Sequence, residues 1–114
     1  MLELARSGAP VRGVVSFHGN LATTKPAERG AVRARILSLS GDNDPFIPMT
    51  QVNTFIEEMK NAHANYQVVI YGGAKHSFAN PKANERGLPG VAYDRSADQR
   101  SWNAMHTFFQ EIFA

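Results

Sequence analysis

Asp44 and His76 are the pair whose chemistry and placement suggest an acid–base function. Asp44 lies in Gly41-Asp42-Asn43-Asp44-Pro45-Phe46-Ile47-Pro48, a loop that follows a strand-like run and precedes a helix-like one. Two carboxylates in a Gly/Pro loop have a plain reading as turn formers, because Asp side chains bond nearby backbone amides. A calcium loop is a second reading, but the ligand spacing and closing Glu of an EF-hand are missing. The third reading is a positioned acid. His76, in Gly73-Ala74-Lys75-His76-Ser77-Phe78, stands just past the next strand-like run. An acid and a histidine at the ends of neighbouring strands can meet above a sheet. There the carboxylate accepts the imidazole Nδ1–H and leaves Nε2 free as a general base.

The elements that must hold this pair are visible in the pattern. Met1 to Ser7 reads as a short helix stopped at Gly8 and broken by Pro10. Val11 to Phe17 is a β-branched and aromatic run. Residues 20–34 are polar and irregular, and Ile36 to Ser40 forms a second strand closed by Gly41. Thr50 is placed to cap a helix with Val52, Phe55, Ile56 and Met59 at helical spacing. Tyr66 to Tyr71 is a third strand, ended by Gly72-Gly73. Asn80 to Asp94 has no periodicity, and an irregular segment that long is commonly functional. A last helix starts near Ser96 and presents Trp102, Met105, Phe109 and Ile112 on one face, with Phe108 and Phe113 beside them as expected core. Strands separated by a helix or a long connection predict a parallel sheet with helices on its faces. Open α/β sheets place chemistry at the carboxyl ends of strands. Phe17-His18-Gly19, the Asp44 loop and the His76 loop all fall there.

Composition narrows the classes. The 114 residues predict one domain, and 43% hydrophobic with 19% charged residues argues against disorder. With no cysteine, thiolate zinc sites, iron–sulfur clusters, disulfides and cysteine nucleophiles are excluded within the chain. No His pair has the HExxH spacing, so no metal is expected. A net charge of +2 without a basic stripe argues against a nucleic-acid partner. The Arg29, Arg33 and Arg35 cluster reads as a solvated loop, and His63 and His106 as solvated helix residues. Absence of a long apolar run argues against a membrane partner. Glu3 and Arg6 interrupt any leader-like start, so a cytoplasmic location is expected.

Gly41-x-x-Asp44-x-x-Ile47-Pro48 followed by Ala74-Lys75-His76-Ser77-Phe78 resembles the carboxyl-terminal half of a dienelactone hydrolase-family α/β-hydrolase. Val14-Val15-Ser16-Phe17-His18-Gly19 and Ala92-Tyr93-Asp94 to Ser101-Trp102 carry the same resemblance, which spans nearly the whole chain. It implies a partial α/β-hydrolase fold of about three parallel strands with flanking helices. It also implies hydrolysis of a carboxylic ester or lactone without metal or organic cofactor. In that superfamily the order is nucleophile, acid, histidine, so Asp44 would be the triad acid and His76 the triad base. His18, Phe46, Phe78 and Asn80 are the candidate substrate contacts.

Two departures accompany the resemblance. The family's nucleophile sits on a Gly-x-[Cys/Ser]-x-Gly turn before the first strand. No two of the nine glycines here stand four positions apart, and no cysteine exists. Ser40 lacks a sharp strand-to-helix turn, and Ser77 adjoins the histidine. The nucleophile is therefore expected outside residues 1–114, and the isolated chain is expected to be inactive. The second departure is Asn80, where members that bind dienelactone carry an arginine; a neutral amide does not reproduce a bidentate carboxylate clamp. The alternative reading is a non-catalytic remnant. Half a sheet leaves the first strand's edge open, so the expected partner is a second copy of the chain or a missing amino-terminal half.

Overall fold

Ile36 through Ser40 alternate large apolar residues with serines, and all five are buried. Such a run, hidden on both faces, is a central parallel strand. The computed structural model describes residues 1–114 and places it so. β1 (Gly13–Phe17), β2 (Arg35–Gly41) and β3 (Tyr66–Tyr71) form one parallel sheet in the order β1-β2-β3. Val14 pairs with Ile36, and Ile36 with Tyr66. α1 (Leu2–Arg6) precedes β1, α2 (Met49–Asn61) joins β2 to β3, and α3 (Arg95–Ile112) closes the chain. The fold class expected from the pattern is the one observed: three parallel strands with flanking helices.

The alternation of side chains along each strand divides the core in two. One face carries Val14 and Ile36 against Leu2 and Ala5 of α1 and Val52, Phe55 and Met59 of α2. The other carries Leu37, Leu39 and Tyr71 against Ala97 and Phe108 of α3. Phe55 is 1% exposed, and truncating it to alanine removes about 3–5 kcal/mol by lost burial and a cavity.

Two local expectations are corrected. Thr50 does not cap α2. Pro48 occupies the N-cap without a side-chain bond, and Thr50 lies inside the first turn. α3 starts at Arg95, in agreement with the expected start near Ser96, and its cap is Asp94, whose carboxylate accepts the Ala97 N–H at 3.0 Å. The buried line of α3 is Ala97, Ser101 and Phe108, not the Trp102–Met105–Phe109–Ile112 row. That line is rotated by one residue, about 100° around the helix. Phe109 and Ile112 pack partly against the same cluster, and it is Gly13 on the strand that admits them: a Cβ there would lie 2.6 Å from Ile112 Cδ1 and 3.0 Å from Phe108. Trp102 and Phe113 are left 49% and 60% exposed.

The irregular segment 18–34 is anchored by an ion pair. Arg6 bonds Glu58 in bidentate fashion at 2.7 and 2.8 Å and donates to the Leu21 carbonyl at 2.7 Å. Glu58 also accepts the Ala27 N–H at 2.8 Å, so one carboxylate ties α1, α2 and the loop. Burial opposes ionisation of Glu58, but the bonds from Arg6 and Ala27 and the Arg6 charge prevail and hold its carboxyl below the usual value. Glu58→Ala leaves the buried Arg6 guanidinium with only the exposed Glu3 and the Leu21 carbonyl and is expected to destabilise by about 3 kcal/mol in urea denaturation, the low end for a broken buried pair. Because the folded-state value is depressed, the stabilisation is full above the unfolded value near 4.5 and is lost as pH falls below it. Acid denaturation of Glu58→Gln checks that component.

Candidate active site

The loop after β2 is shaped by one close approach. A Cβ at Gly41 would fall 2.2 Å from the Ala74 carbonyl oxygen, so only glycine lets the β2 and β3 ends converge there. The Asn43 N–H then donates to the Ala74 carbonyl at 3.0 Å, and the Gly73 N–H to Asp42 Oδ1 at 2.6 Å. These bonds register the acid loop against the histidine loop. Asp44 is turned inward, its side chain 1% exposed. Its Oδ1 accepts the N–H groups of Phe46 at 2.8 Å and Ile47 at 3.1 Å. The other oxygen, Oδ2, faces His76 Nδ1 at 2.8 Å.

Segment 80–94 holds His76 from the far side. The His76 N–H donates to the Gly90 carbonyl at 3.0 Å, and the His76 carbonyl accepts from Ala92 at 3.2 Å. His76 and Val91 thereby form a parallel bridge. Gly90 (φ +81) allows Pro45 to pack against it, where a Cβ would meet Pro45 Cγ at 2.3 Å. With Nδ1 engaged, Nε2 is left without a protein partner on a ring that lines an open cleft of ≈ 710 Å³. Phe46 covers the ring at 5.2 Å and His18 meets it edge-on at 5.6 Å. This arrangement can orient an imidazole, fix its tautomer and stabilise its protonated form.

His18 ends β1 in the left-handed region at φ 42, a conformation that costs a side-chain-bearing residue about 1–2 kcal/mol. Its titration is displaced downward, first by burial and then by the nearby His76, with Asp44 acting in the opposite sense. Burial and the neighbouring His76 thus favour the neutral His18 imidazole.

The candidate substrate contacts separate. His18 and Phe46 line the cleft with Phe17, Ile47 and His76. Phe78 does not. It is fully buried, packed against Tyr71 at 5.6 Å and against the His18 ring at 5.1 Å, and so supports the cleft wall from beneath. Asn80 does not reach the cleft either, because its carboxamide oxygen accepts the Lys82 N–H at 3.0 Å within its own turn. Ser40 is buried within β2 with its hydroxyl unpaired, and Ser77 follows His76 at φ 63. Arg86, Leu88 and Val91 line the cleft without having been singled out. The length of segment 80–94 was the signal for them, but no periodicity said which of its residues turn inward. No three His, Asp or Glu side chains converge as metal ligands.

A parallel α/β sheet with a carboxylate–imidazole pair at its carboxyl edge defines the α/β-hydrolase class of site. Residues 1–113 match the model of the dienelactone hydrolase family, and the chain belongs to that family. It is 32% identical over 105 residues to an uncharacterized protein of Caenorhabditis elegans, covering 91% of this chain and 66% of that one. It superposes with TM-score 0.91 and 38% identity on a dienelactone hydrolase-like promiscuous phosphotriesterase from metagenomic libraries. The match covers 97% of this chain and 46% of the other. The structure of m3DLH gives the same TM-score at 37% identity over 99% and 47% of the two chains. The chain therefore spans about half the length of these solved structures.

The downward-displaced titration of His18 has a measurable consequence. Below about pH 6.5 the unfolded chain binds a proton at this residue that the folded chain resists. Stability therefore falls as pH drops through that window. In urea denaturation at pH 7.5 and 5.5, His18→Asn is expected to lose less stability on acidification than the unaltered protein.

Proposed function

We propose that the chain carries the acid and base of a carboxylic ester or lactone hydrolase. The observation that supports this reading best is the 2.8 Å contact between a fully buried Asp44 carboxylate and His76 Nδ1. Asp44 orients His76, and His76 Nε2 takes the proton of a nucleophile borne outside residues 1–114 as that group attacks the substrate carbonyl. The imidazolium then returns the proton to the leaving alcohol. A water activated by the same nitrogen cleaves the acyl-enzyme and regenerates the nucleophile. The cleft lining is mixed, with Phe17, Phe46, Ile47, Leu88 and Val91 beside Asn20 and Arg86, and suits a small ester; position 80 carries Asn80 and supplies no guanidinium clamp. The chemistry lies within the side chains alone, so no cofactor is invoked. A cytoplasmic location belongs to the same proposal.

A p-nitrophenyl acetate assay tests this reading. The isolated chain is expected to give no acyl-enzyme burst and no turnover above that of free imidazole. Joined to the amino-terminal half of the 38% identical structure, it is expected to turn over the ester. His76→Ala is then expected to reduce kcat by roughly 10³-fold or more. Turnover that survives His76→Ala would refute the assignment.

A second reading, a self-associating module, is favoured by one feature. β1 is an edge strand, and Trp102 of α3 packs at 5.6 Å on its Phe17 while remaining half exposed. An open strand edge beside exposed aromatics invites pairing with a second chain. On this reading light scattering at micromolar concentration gives a dimer or larger, and Val15→Lys restores a monomer. A clean monomer before substitution excludes it.

A further inference from the structure

His18 stands where the acid–base pair meets the cleft, and the proton scheme above leaves it without a role. Its ring meets that of His76 at 5.6 Å with the planes 72° apart, and it rests on the buried Phe78 at 5.1 Å. Phe46 contacts His76 at 5.2 Å. With Nδ1 held by Asp44, the His76 ring is thus fixed by one hydrogen bond and two aromatic contacts. The His18 backbone is equally constrained: its N–H donates to the Leu39 carbonyl at 2.8 Å, and φ is held at 42. A strained residue whose surroundings over-determine its direction is characteristic of a functional site.

We propose that His18 is a positioning residue for His76, its imidazole edge holding the His76 ring with Nε2 free while the proton of acyl transfer is taken up and returned. The inference rests on the reading of His76 as the general base. Packing alone would be met by any aromatic ring, and a cation in the same place would oppose the protonated form of His76. The groups that face His18 are His76 and Asp44 above the strand ends and Arg86 across the cleft. Asp44 is the single anion among them. An uncharged His18 leaves that carboxylate to the His76 imidazolium alone. Burial and the neighbouring His76 favour that neutral form.

Imidazole NMR of the full chain tests this without requiring turnover. The Nδ1–H proton of His76 is expected to be protected from solvent exchange in the unaltered protein and in His18→Phe. In His18→Ala its exchange is expected to accelerate at least tenfold, an order-of-magnitude expectation for a ring released from one wall. A role confined to supporting the cleft wall would leave the His76 Nδ1–H exchange unchanged in His18→Ala. If His18→Ala does not fold, His18→Asn, which tolerates the left-handed backbone, carries the same expectation. Unchanged exchange in the truncated variant would overturn the proposal. In the joined enzyme, His76→Ala decides the hydrolase reading separately from these measurements.

Discussion

A carboxylate removed from water must be met by donors from every direction it can accept. Asp44 is that group, and the carboxyl edge of the sheet is built around it. Its donors come from the Phe46 and Ile47 amides on its own loop and from His76 beyond the next strand. The amides force the loop into a tight turn ahead of α2. The imidazole ties β2's end to β3's end, and β3's end is in turn bridged to Val91 in segment 80–94. Three stretches of chain distant in sequence are thus joined through one buried acid. Gly41 is the geometric condition, since a side chain there would drive the Ala74 carbonyl away and separate the partners.

The two sides of the sheet are treated differently. On the α1/α2 side the large side chains are buried, and a buried Arg6–Glu58 pair fixes the otherwise irregular connection from β1 to β2. On the α3 side Ala97, Ser101 and Phe108 are buried and the exposed aromatics Trp102 and Phe113 form a row displaced toward β1. That row runs antiparallel to the strand: Trp102 packs on Phe17 at the strand's carboxyl end, and Phe113 stacks with Arg12 just before its start. The open edge of β1 and this row therefore lie together.

Much of this was legible in the residues. The strands, the two longer helices and the parallel order follow from β-branched runs, helical spacing and intervening lengths. Asp44 and His76 stood out because each follows a strand, where chemistry in an open sheet collects. The rotation of α3 was not legible, because its apolar residues outnumber those that one face can hold. A pattern with two candidate stripes does not say which packs. Phe78 misled for a related reason: a position two residues from His76 puts a side chain near the site, yet not necessarily on the open side of it.

By itself, the sequence determined the fold class, the absence of any Gly-x-[Cys/Ser]-x-Gly turn within residues 1–114, and the pairing of an acid with a histidine at neighbouring strand ends. These depend on residue type and order along one chain. Tertiary structure alone decided that Asp44 is fully buried, that the His18 ring lies edge-on to His76, and that Phe78 and Asn80 do not face the cleft. Each of those depends on which side of a packed layer an atom falls. That is a property of three-dimensional neighbours, which spacing along the chain does not encode.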